Sequence, residues 1–295
     1  MDPETLVLPP ALERVRGRVD EVLASFLLEK TEEMATIAPE AAEMGDELRR
    51  LVAAGGKRIR PAFCYWGHRA AGGDEGEPIF RAAAALELFH TFALIHDDVM
   101  DESETRRGAP STYARFAGAR AGEPGALRYG RSVAVLAGDL ASVLADEALI
   151  GSGFPPERLL PTLRRYARMR EEVAAGQFLD VQGAAATGTA SAGRVASLKT
   201  GAYTVEGPLH IGALLAGGSP ELLAALSRFA RPLGLAFQFR DDVLDHGEGA
   251  VPGATASEVN RLIDEARSAL ADPAILHEAA EALGSLAGAL VLPGG

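Results

Sequence analysis

The sequence predicts an all-α protein, and two observations carry that prediction. Apolar residues recur at helical spacing through most of the chain, with charged residues between them. β-Branched residues never alternate with polar ones over a useful length, so strand signals are thin. Glycine- and proline-rich breaks lie between the helical segments, as the loops of a helical bundle do. We therefore expect a single domain over residues 1–295.

The predicted helices follow one another along the chain. The first is marked by apolar residues that step by three and four: Leu12, Val15, Val19, Val22, Leu23, Phe26 and Leu27. An alanine-rich helix is predicted over 81–100, and further helices over 133–150, 161–176, 194–215, 220–245 and 257–270. Pro161 and Pro220 are both expected in a first helical turn, with Ser219 as the N-cap before Pro220. The breaks fall at 72–78, 118–130, 151–156, 183–193 and 247–254.

The composition limits the class of protein. Lys and Arg number 29 against 41 Asp and Glu, a net charge of −12 that argues against general nucleic-acid binding. A phosphorylated small substrate remains compatible, because local cations and bound metal can outweigh the net charge. Cys64 is the only cysteine, so a Cys-rich zinc site is excluded. No basic N-terminal region and no apolar run of ~18 residues is present, so we expect a cytoplasmic protein without a membrane span.

The most informative pattern is a pair of aspartate clusters. Asp97 and Asp101 are four residues apart on one predicted helical face, with Asp98 beside them. Like charges at this spacing destabilise a helix unless a cation or partner is bound, and carboxylate oxygens suit Mg²⁺ together with substrate phosphates. A solvated acidic helix end is the alternative for one such cluster alone. The same spacing recurs at the end of a second apolar helix, in Asp241, Asp242 and Asp245, which favours two clusters facing one diphosphate.

Cationic and amide side chains for such a substrate are present. Lys57 and Arg60 follow Gly55-Gly56 and can face one site if the segment is helical. A surface basic turn is the alternative. Arg106 and Arg107 follow the first cluster closely, and the other candidates are Lys199, Thr200, Gln177 and Gln238.

The chain resembles the trans-isoprenyl diphosphate synthases, or polyprenyl synthetases. The resemblance lies in six segments in the expected order: GGKRIRP (55–61), LELFHTFALIHDDVMDESETRRG (86–108), GDLA (138–141), GQFLD (176–180), KTGAY (199–203) and FQFRDDVLD (237–245). It implies the isoprenoid synthase fold, a helical bundle around a central cavity, and a homodimer. It also implies condensation of isopentenyl diphosphate with an allylic diphosphate such as dimethylallyl, geranyl or farnesyl diphosphate.

The resemblance also implies roles for individual residues. Several Mg²⁺ ions would bridge the allylic diphosphate to the catalytic carboxylates Asp97, Asp98, Asp101 and Asp241, assisted by Asp242 and Asp245. The allylic diphosphate would contact Arg106, Lys199 and Gln238. Isopentenyl diphosphate would contact Lys57, Arg60, His90 and Arg107. The catalytic groups near the developing carbocation would be Thr200 and Gln177.

Product length is expected to depend on the residues one and two turns before Asp97. Ala93 is the small nearer residue, and Phe92 and Phe89 are bulky residues on the same stripe. This combination resembles a twenty-carbon, geranylgeranyl-type enzyme, with a fifteen-carbon farnesyl enzyme as the alternative. Alternatively, both phenylalanines are ordinary core residues and do not control product length.

One segment departs from the family pattern. After the second cluster, family members have a loop with two Gly-Lys segments, whereas no lysine follows Arg240 here. Either the segment is truly short, which would leave a weak or inactive enzyme, or a mobile lid is missing from the numbered chain. We expect the second, because every other site residue is present.

Three other classes fit less well. A class I terpene cyclase needs a metal-binding triad, and Asn260 with Asp264 lacks its middle residue. A di-iron bundle would use Glu87 and His90, but no second Glu-x-x-His occurs. A regulatory subunit without turnover gains support if the segment after Asp245 is truly short.

Overall fold

The computed structural model describes residues 9–183, 197–247 and 253–291, and these are almost entirely helical. In chain order the α-helices are α1 (Pro10–Ile37), α2 (Ala42–Ala53), α3 (Ile59–Ala70), α4 (Glu77–Met100), α5 (Thr112–Gly118), α6 (Ala126–Ile150), α7 (Pro156–Val181), α8 (Gly207–Ala216), α9 (Pro220–His246), α10 (Ala256–Ala269) and α11 (His277–Val291). A 3₁₀ turn at Pro39–Ala41, a π-helix at Ser197–Glu206 and strands β1 (Thr105–Arg106) and β2 (Ala109–Pro110) complete the described elements. The all-α prediction is confirmed.

The helix starts follow local sequence chemistry. Pro220 is the first residue of α9, and the Ser219 hydroxyl accepts a hydrogen bond from the Leu222 amide at 3.3 Å, as predicted. The prediction for Pro161 is wrong, because α7 already begins at Pro156 and Pro161 lies inside the helix. Pro156 occupies the first turn of α7, where the missing amide proton of proline removes no hydrogen bond. The apolar periodicity that begins at Pro161 therefore marks only the later part of the helix.

The sequence did not predict the short hairpin after α4. β1 pairs with β2 in antiparallel register, with Arg106 opposite Ala109. Arg107 and Gly108 form the turn with φ angles of 53° and 76°, the positive values of a type I′ hairpin turn. Two-residue strands are too short for an alternating pattern, so only the turn chemistry could have indicated them.

Contacts divide the chain into two compact units, each described here by itself. Unit 1 comprises Met1–Val15, Ile59–Ile79 and Gly153–Gly295 in their described parts. Unit 2 comprises Arg16–Arg58 and Phe80–Ser152. The single domain over residues 1–295 stays a prediction.

In unit 1, two close helix crossings depend on glycine. α3 packs on α8, and a Cβ at Gly212 would lie 1.8 Å from the Cys64 carbonyl oxygen. The π-helix packs on α9, and a Cβ at Gly234 would lie 2.5 Å from the Gly201 Cα. A side chain at Gly212 or Gly234 would therefore push the helices apart. The second crossing fixes the π-helix, which carries Lys199, against the helix that carries Asp241.

In unit 2, a buried carboxylate ties α2 to α5. The Glu47 side chain is fully buried and accepts hydrogen bonds from Thr112 Oγ1 at 2.8 Å and from Arg115 Nη1 at 3.0 Å. Arg50 also donates to Glu47, at 2.6 and 2.8 Å. Three donors satisfy the buried charge, which would otherwise be costly.

α4 is the most apolar of the long described helices. By length and composition it could cross a membrane, contrary to the expectation that no segment is apolar enough, and 67% of its most apolar window is buried. Such burial is typical of the core helix of a folded domain.

Candidate functional site

The first aspartate cluster lies at the carboxyl end of α4 in unit 2, next to the hairpin. Arg106 Nε donates a hydrogen bond to Asp98 Oδ1 at 2.9 Å, and Arg106 Nη2 lies 3.8 Å from Asp97 Oδ2. The Asp98 side chain is 4% exposed, whereas Asp97 is 24% exposed and Asp101 is exposed. The predicted proximity of Arg106 to the cluster is therefore confirmed, and Asp98 faces the guanidinium.

Burial also affects the charges of this pair. Burial raises the pKa of Asp98 above its ordinary value, although the hydrogen bond from Arg106 opposes the rise. Burial is the largest single effect on Arg106 and lowers its pKa, but the hydrogen bond to Asp98 together with the charges of the three aspartates produces a net rise. Arg106 thus stays cationic at the aspartate cluster. Ligation of a metal by Asp98 stays a prediction.

The loop before α3 is not helical, so the helical arrangement of Lys57 and Arg60 is wrong. Lys57 lies in an irregular segment, and Arg60 is the second residue of α3, which begins at Ile59. The tight turn at Gly55 has a φ of 84°, and its carbonyl accepts a hydrogen bond from the Arg107 guanidinium. The loop and the hairpin of unit 2 are therefore joined at Gly55.

Unit 2 also contains an ion pair that the sequence did not indicate. Arg58 Nη1 donates to Glu87 Oε1 at 2.7 Å, and the two side chains are 2% and 6% exposed. Because these residues lie 29 positions apart in different segments, no local pattern could reveal the pair.

The stripe expected to limit product length is stacked along α4. The Phe89 and Phe92 ring centroids lie 5.3 Å apart at an interplanar angle of 29°. The His96 ring centroid lies 4.6 Å from that of Phe92 at an interplanar angle of 59°, so a tilted ring contact follows the stacked pair toward the aspartate cluster. Phe89 is buried, whereas Phe92, Ala93 and His90 are half-buried.

In unit 1, Arg60 is held by the π-helix. Its Nη2 donates to Thr204 Oγ1 at 3.0 Å, and its guanidinium carbon lies 4.0 Å from the centroid of the Tyr203 ring. The sequence did not indicate Tyr203 or Thr204 as partners, because 144 positions separate Arg60 from Thr204. Lys199 and Thr200 are on the same π-helix, but their side chains lie outside the described residues.

The second aspartate cluster lies near the end of α9 in unit 1. Gln238 Nε2 donates to Asp242 Oδ1 at 2.9 Å, and the Asp241 side chain is 40% exposed. Gln177 is half-buried on α7, which packs on the π-helix. The side chain of Asp245 lies outside the described residues. That both clusters face one cavity stays a prediction.

The carboxylates suit a metal that retains other ligands. No group of three or more His, Cys, Asp or Glu side chains converges on a metal position within the described residues. The aspartate side chains of the half-buried Asp97 and the exposed Asp101 match Mg²⁺, which takes one or two carboxylates plus water and phosphate oxygens. The donor set therefore fits Mg²⁺ completed by a substrate.

Fold and site together define an all-α protein with two acidic helix ends and cationic side chains in both units. The family model for polyprenyl synthetase matches residues 42–250, and the chain belongs to this family. The fold also matches the crystal structure of geranylgeranyl pyrophosphate synthase from Corynebacterium glutamicum complexed with isoprenyl diphosphate and magnesium. That match has a TM-score of 0.86 at 30% identity and covers 95% of this chain and 99% of the other. The isoprenoid synthase fold is thereby confirmed.

Two curated relatives are also similar in sequence to this chain. The chain is 36% identical to a short chain isoprenyl diphosphate synthase of Methanothermobacter thermautotrophicus, over 72% of this chain and 61% of the relative. It is also 36% identical to a farnesyl diphosphate synthase of Geobacillus stearothermophilus, over 65% of this chain and 62% of the relative. The chain thus spans about three-fifths of the length of these relatives.

The short segment after Asp245 belongs to the protein itself. The full sequence runs continuously over 295 residues, so the expectation that a lid is missing from the numbered chain is wrong. α9 ends at His246 and α10 begins at Ala256, after a cap in which Thr255 Oγ1 accepts from the Glu258 amide at 3.2 Å. The chain therefore has no place for two Gly-Lys segments between these helices.

Proposed function

We propose that the protein is a Mg²⁺-dependent short-chain trans-prenyltransferase. It would condense isopentenyl diphosphate with an allylic diphosphate by head-to-tail elongation. The observation that carries the proposal is the end of α4, where Arg106 is bonded to Asp98 and close to the more exposed Asp97. Clustered carboxylates with a guanidinium among them are suited to a diphosphate bound through a divalent cation.

Metal and protein have separate parts in this proposal. Asp97, Asp101 and Asp241 would hold Mg²⁺, which supplies charge neutralisation for the departing diphosphate. Arg106 would add its cation to the allylic diphosphate, and Asp98 orients that guanidinium through the 2.9 Å hydrogen bond. Lys57, Arg107, Arg60 and His90 would bind isopentenyl diphosphate.

The reaction requires no nucleophilic side chain. Ionisation of the allylic diphosphate leaves an allylic cation, and the double bond of isopentenyl diphosphate attacks it. The new carbon–carbon bond forms as the proton leaves, and the released diphosphate is the proposed acceptor. The protein's contribution is to stabilise charge on the leaving group and to exclude water, which would quench the cation.

Geranylgeranyl diphosphate is the proposed product, with farnesyl diphosphate as the alternative. The stacked Phe89 and Phe92 form a bulky barrier on α4, while Ala93 leaves the nearer turn small. Relatives named for each product occur among the similar proteins, so these names do not decide the length.

A low-activity or regulatory prenyl synthase subunit is the second candidate function. It is favoured by the short connection between α9 and α10, which contains no lysine. A terpene cyclase is less well supported, because the second aspartate cluster and Lys57 are better suited to elongation.

We also propose a cytoplasmic homodimer. Cys64 is a buried free thiol, and burial raises its pKa, which keeps it unreactive. α6 presents exposed apolar side chains at a spacing of seven residues, in Leu136, Val143 and Ile150. A second copy of the chain would cover such a stripe.

The test is turnover of purified protein with isopentenyl diphosphate and each allylic diphosphate, with and without Mg²⁺. Asp97→Asn and Asp241→Asn should each lower kcat/KM by about 10²-fold or more, because each loses a charged metal ligand, while the melting temperature stays unchanged. An exposed carboxylate outside the site, Glu171, provides the control variant Glu171→Gln.

Product formation that needs no Mg²⁺, or near-normal rates in both aspartate variants, would contradict the proposed mechanism. Absence of turnover by the wild type with every allylic primer, alongside tight binding of a catalytic homologue, would favour the regulatory subunit.

A further inference from the structure

Arg58 lies between two residues with proposed substrate contacts, yet its side chain points into the protein. Arg58 follows Lys57 directly, and its side chain is 2% exposed in unit 2. Its guanidinium donates to Glu87 Oε1, to Asp20 Oδ1 and to the Val52 carbonyl, each at 2.7 Å. Each of the three guanidinium nitrogens therefore donates one hydrogen bond.

The backbone at Arg58 is held in an unfavourable conformation. Its φ is 52°, in the left-handed region that is strained for a residue with a side chain. Arg107 has the same kind of conformation, with a φ of 53°. The buried guanidinium bonds of Arg58 compensate for this strain and thereby fix the peptide that leads from Lys57 into α3.

The arrangement extends from Arg58 to Arg107. The Arg107 guanidinium donates to the Gly55 carbonyl, at the start of the same loop. A Cβ at Gly56 would lie 3.1 Å from Arg58 Nη1 and 3.4 Å from Arg107 Nη2. Both guanidinium groups therefore lie close to the position that a side chain at Gly56 would occupy, and a larger residue there would displace one of them.

Glu87 anchors this arrangement to the helix that carries the first aspartate cluster. Glu87, Thr91 and Asp98 lie along one stripe of α4 and line a cavity of about 40 Å³ together with Arg58 and Arg106. The buried ion pair Arg58–Glu87 and the partly buried ion pair Arg106–Asp98 thus share one helix face. α4 therefore fixes the position of the loop relative to the first aspartate cluster.

We propose that the Arg58–Glu87 pair is a positioning device for isopentenyl diphosphate: it holds the Gly55–Lys57 loop so that Lys57 and Arg107 present their cations to the same diphosphate. This inference rests on the proposed function. Arg58 and Glu87 act through the loop and need no contact with substrate. Their loss should weaken isopentenyl diphosphate binding more than the binding of the allylic substrate.

The experiment separates positioning from stability with a double variant. Arg58→Met leaves Glu87 buried without its guanidinium partner, so the melting temperature should fall. Arg58→Met with Glu87→Met removes both charges, and two apolar side chains of similar length should restore most of the melting temperature. Arg58→Lys keeps the charge but cannot reach three partners at once, so it carries the test if the methionine variants fold poorly.

For each variant, steady-state kinetics give KM for each substrate and kcat, and calorimetry gives Kd for isopentenyl diphosphate alone. All Arg58 variants should raise both KM and Kd for isopentenyl diphosphate by about tenfold, the loss expected when one charge-assisted contact is misaligned. The allylic KM should stay within about twofold, within the scatter of such comparisons. Lys57→Ala should reproduce the same pattern.

Arg115→Met is the matched control, because Arg115 also pairs with a buried carboxylate, Glu47, in the same unit. It should lower the melting temperature without changing Kd for isopentenyl diphosphate. If the double variant regains both the wild-type melting temperature and the wild-type Kd for isopentenyl diphosphate, the pair has only a structural role and the inference is overturned. Unchanged Kd in Arg58→Lys would overturn it as well.

Wild-type measurements distinguish this failure from that of the proposed function. Wild-type protein that turns over both substrates while the Arg58 variants bind isopentenyl diphosphate normally would refute only the positioning role. Wild-type protein that neither binds nor consumes isopentenyl diphosphate would refute the proposed function and the inference together.

Discussion

Lysine is rare in this chain, and two of its three lysines are candidate site residues. Lys57 and Lys199 are the candidates, and Lys30 pairs with Glu33 and Glu147. The neighbouring position 58 is an arginine with three simultaneous partners, a task for which a single ammonium is too small. The choice of cation therefore separates a compact point charge on the half-buried Lys57 from the planar guanidinium of the buried Arg58.

His210 should make the stability of the protein depend on pH. Burial, the largest effect, and the Arg165 charge lower its pKa from 6.5 to about 4, while Glu206 opposes the shift and Arg231 adds to it. Below pH 6.5 the unfolded chain binds a proton before the folded chain does, so stability falls as the pH falls toward about 4. A shift of this size corresponds to about 3 kcal/mol at most.

The measurement is denaturant unfolding at pH 7.5 to 4.5 of the wild type and of His210→Gln, at ~0.5-unit steps. The variant cannot titrate at this position, so its stability should fall less steeply in acid. His277, which is 88% exposed, provides the control His277→Gln, which should follow the wild type. Identical slopes for wild type and His210→Gln would refute a buried neutral histidine.

The site could be predicted from sequence where its residues are close together along the chain. The four-residue spacing along a predicted helix indicates Asp97, Asp98 and Asp101. Arg106 is indicated by its short distance from them along the sequence. Contacts between distant segments have no such signal: Arg60 meets Thr204 from 144 positions away. For the same reason the sequence did not indicate Glu87 as the partner of Arg58. It also did not show that the loop before α3 is non-helical, because contacts with distant segments determine the conformation of that loop.

At the level of elements, helix existence was predictable and helix geometry was not. The segment predicted as one helix over 194–215 contains a π-helix to Glu206 and then α8. The π-helix widens the turn next to Lys199 and Thr200, and such turns often occur at functional sites. Hydrophobic periodicity near 3.6 residues cannot distinguish the two, because ten residues are too few to separate the periods.

α4 is the element expected to set product length. If the growing prenyl product extends along the stripe before Asp97, the stacked rings of Phe92 and Phe89 block its further growth. Phe92→Ala with Phe89→Ala removes both rings, so the products should lengthen by one or more five-carbon units. Chromatography of the dephosphorylated products measures the distribution.

The control for the product-length variant is Phe116→Ala, which removes a buried ring of the same unit on α5. It should lower stability by about 3–5 kcal/mol without changing the product distribution. An unchanged distribution in the Phe89 and Phe92 double variant would show that the barrier lies on another helix.

For the whole molecule, the family match covers residues of both units and ends at residue 250. Described residues beyond the match form α10 and α11, and the match to the Corynebacterium structure covers 95% of this chain. The short connection after α9 therefore removes family-typical cations without removing the helices that follow. The sequence between α9 and α10 therefore differs from the family pattern in its local charge, because it contains no lysine.

Self-association is the prediction that belongs to the whole molecule. Leu136, Val143 and Ile150 are 56%, 60% and 56% exposed, and their spacing of seven residues places them along one side of α6. Water contact with three large apolar side chains is unfavourable, so a two-fold related copy of α6 should cover them. Sedimentation should then give a mass of twice 30.8 kDa for the wild type.

Leu136→Glu with Val143→Glu should shift the sedimenting species to the 30.8 kDa monomer, because burying two carboxylates in an apolar interface costs several kcal/mol. Ile37 is 77% exposed at the end of α1, so Ile37→Glu adds the same charge away from the stripe and should leave the dimer intact. A helical circular dichroism spectrum like that of the wild type would show that the α6 variant is folded. A monomeric wild type, or a folded α6 variant that still dimerises, would place the subunit contact elsewhere or remove it.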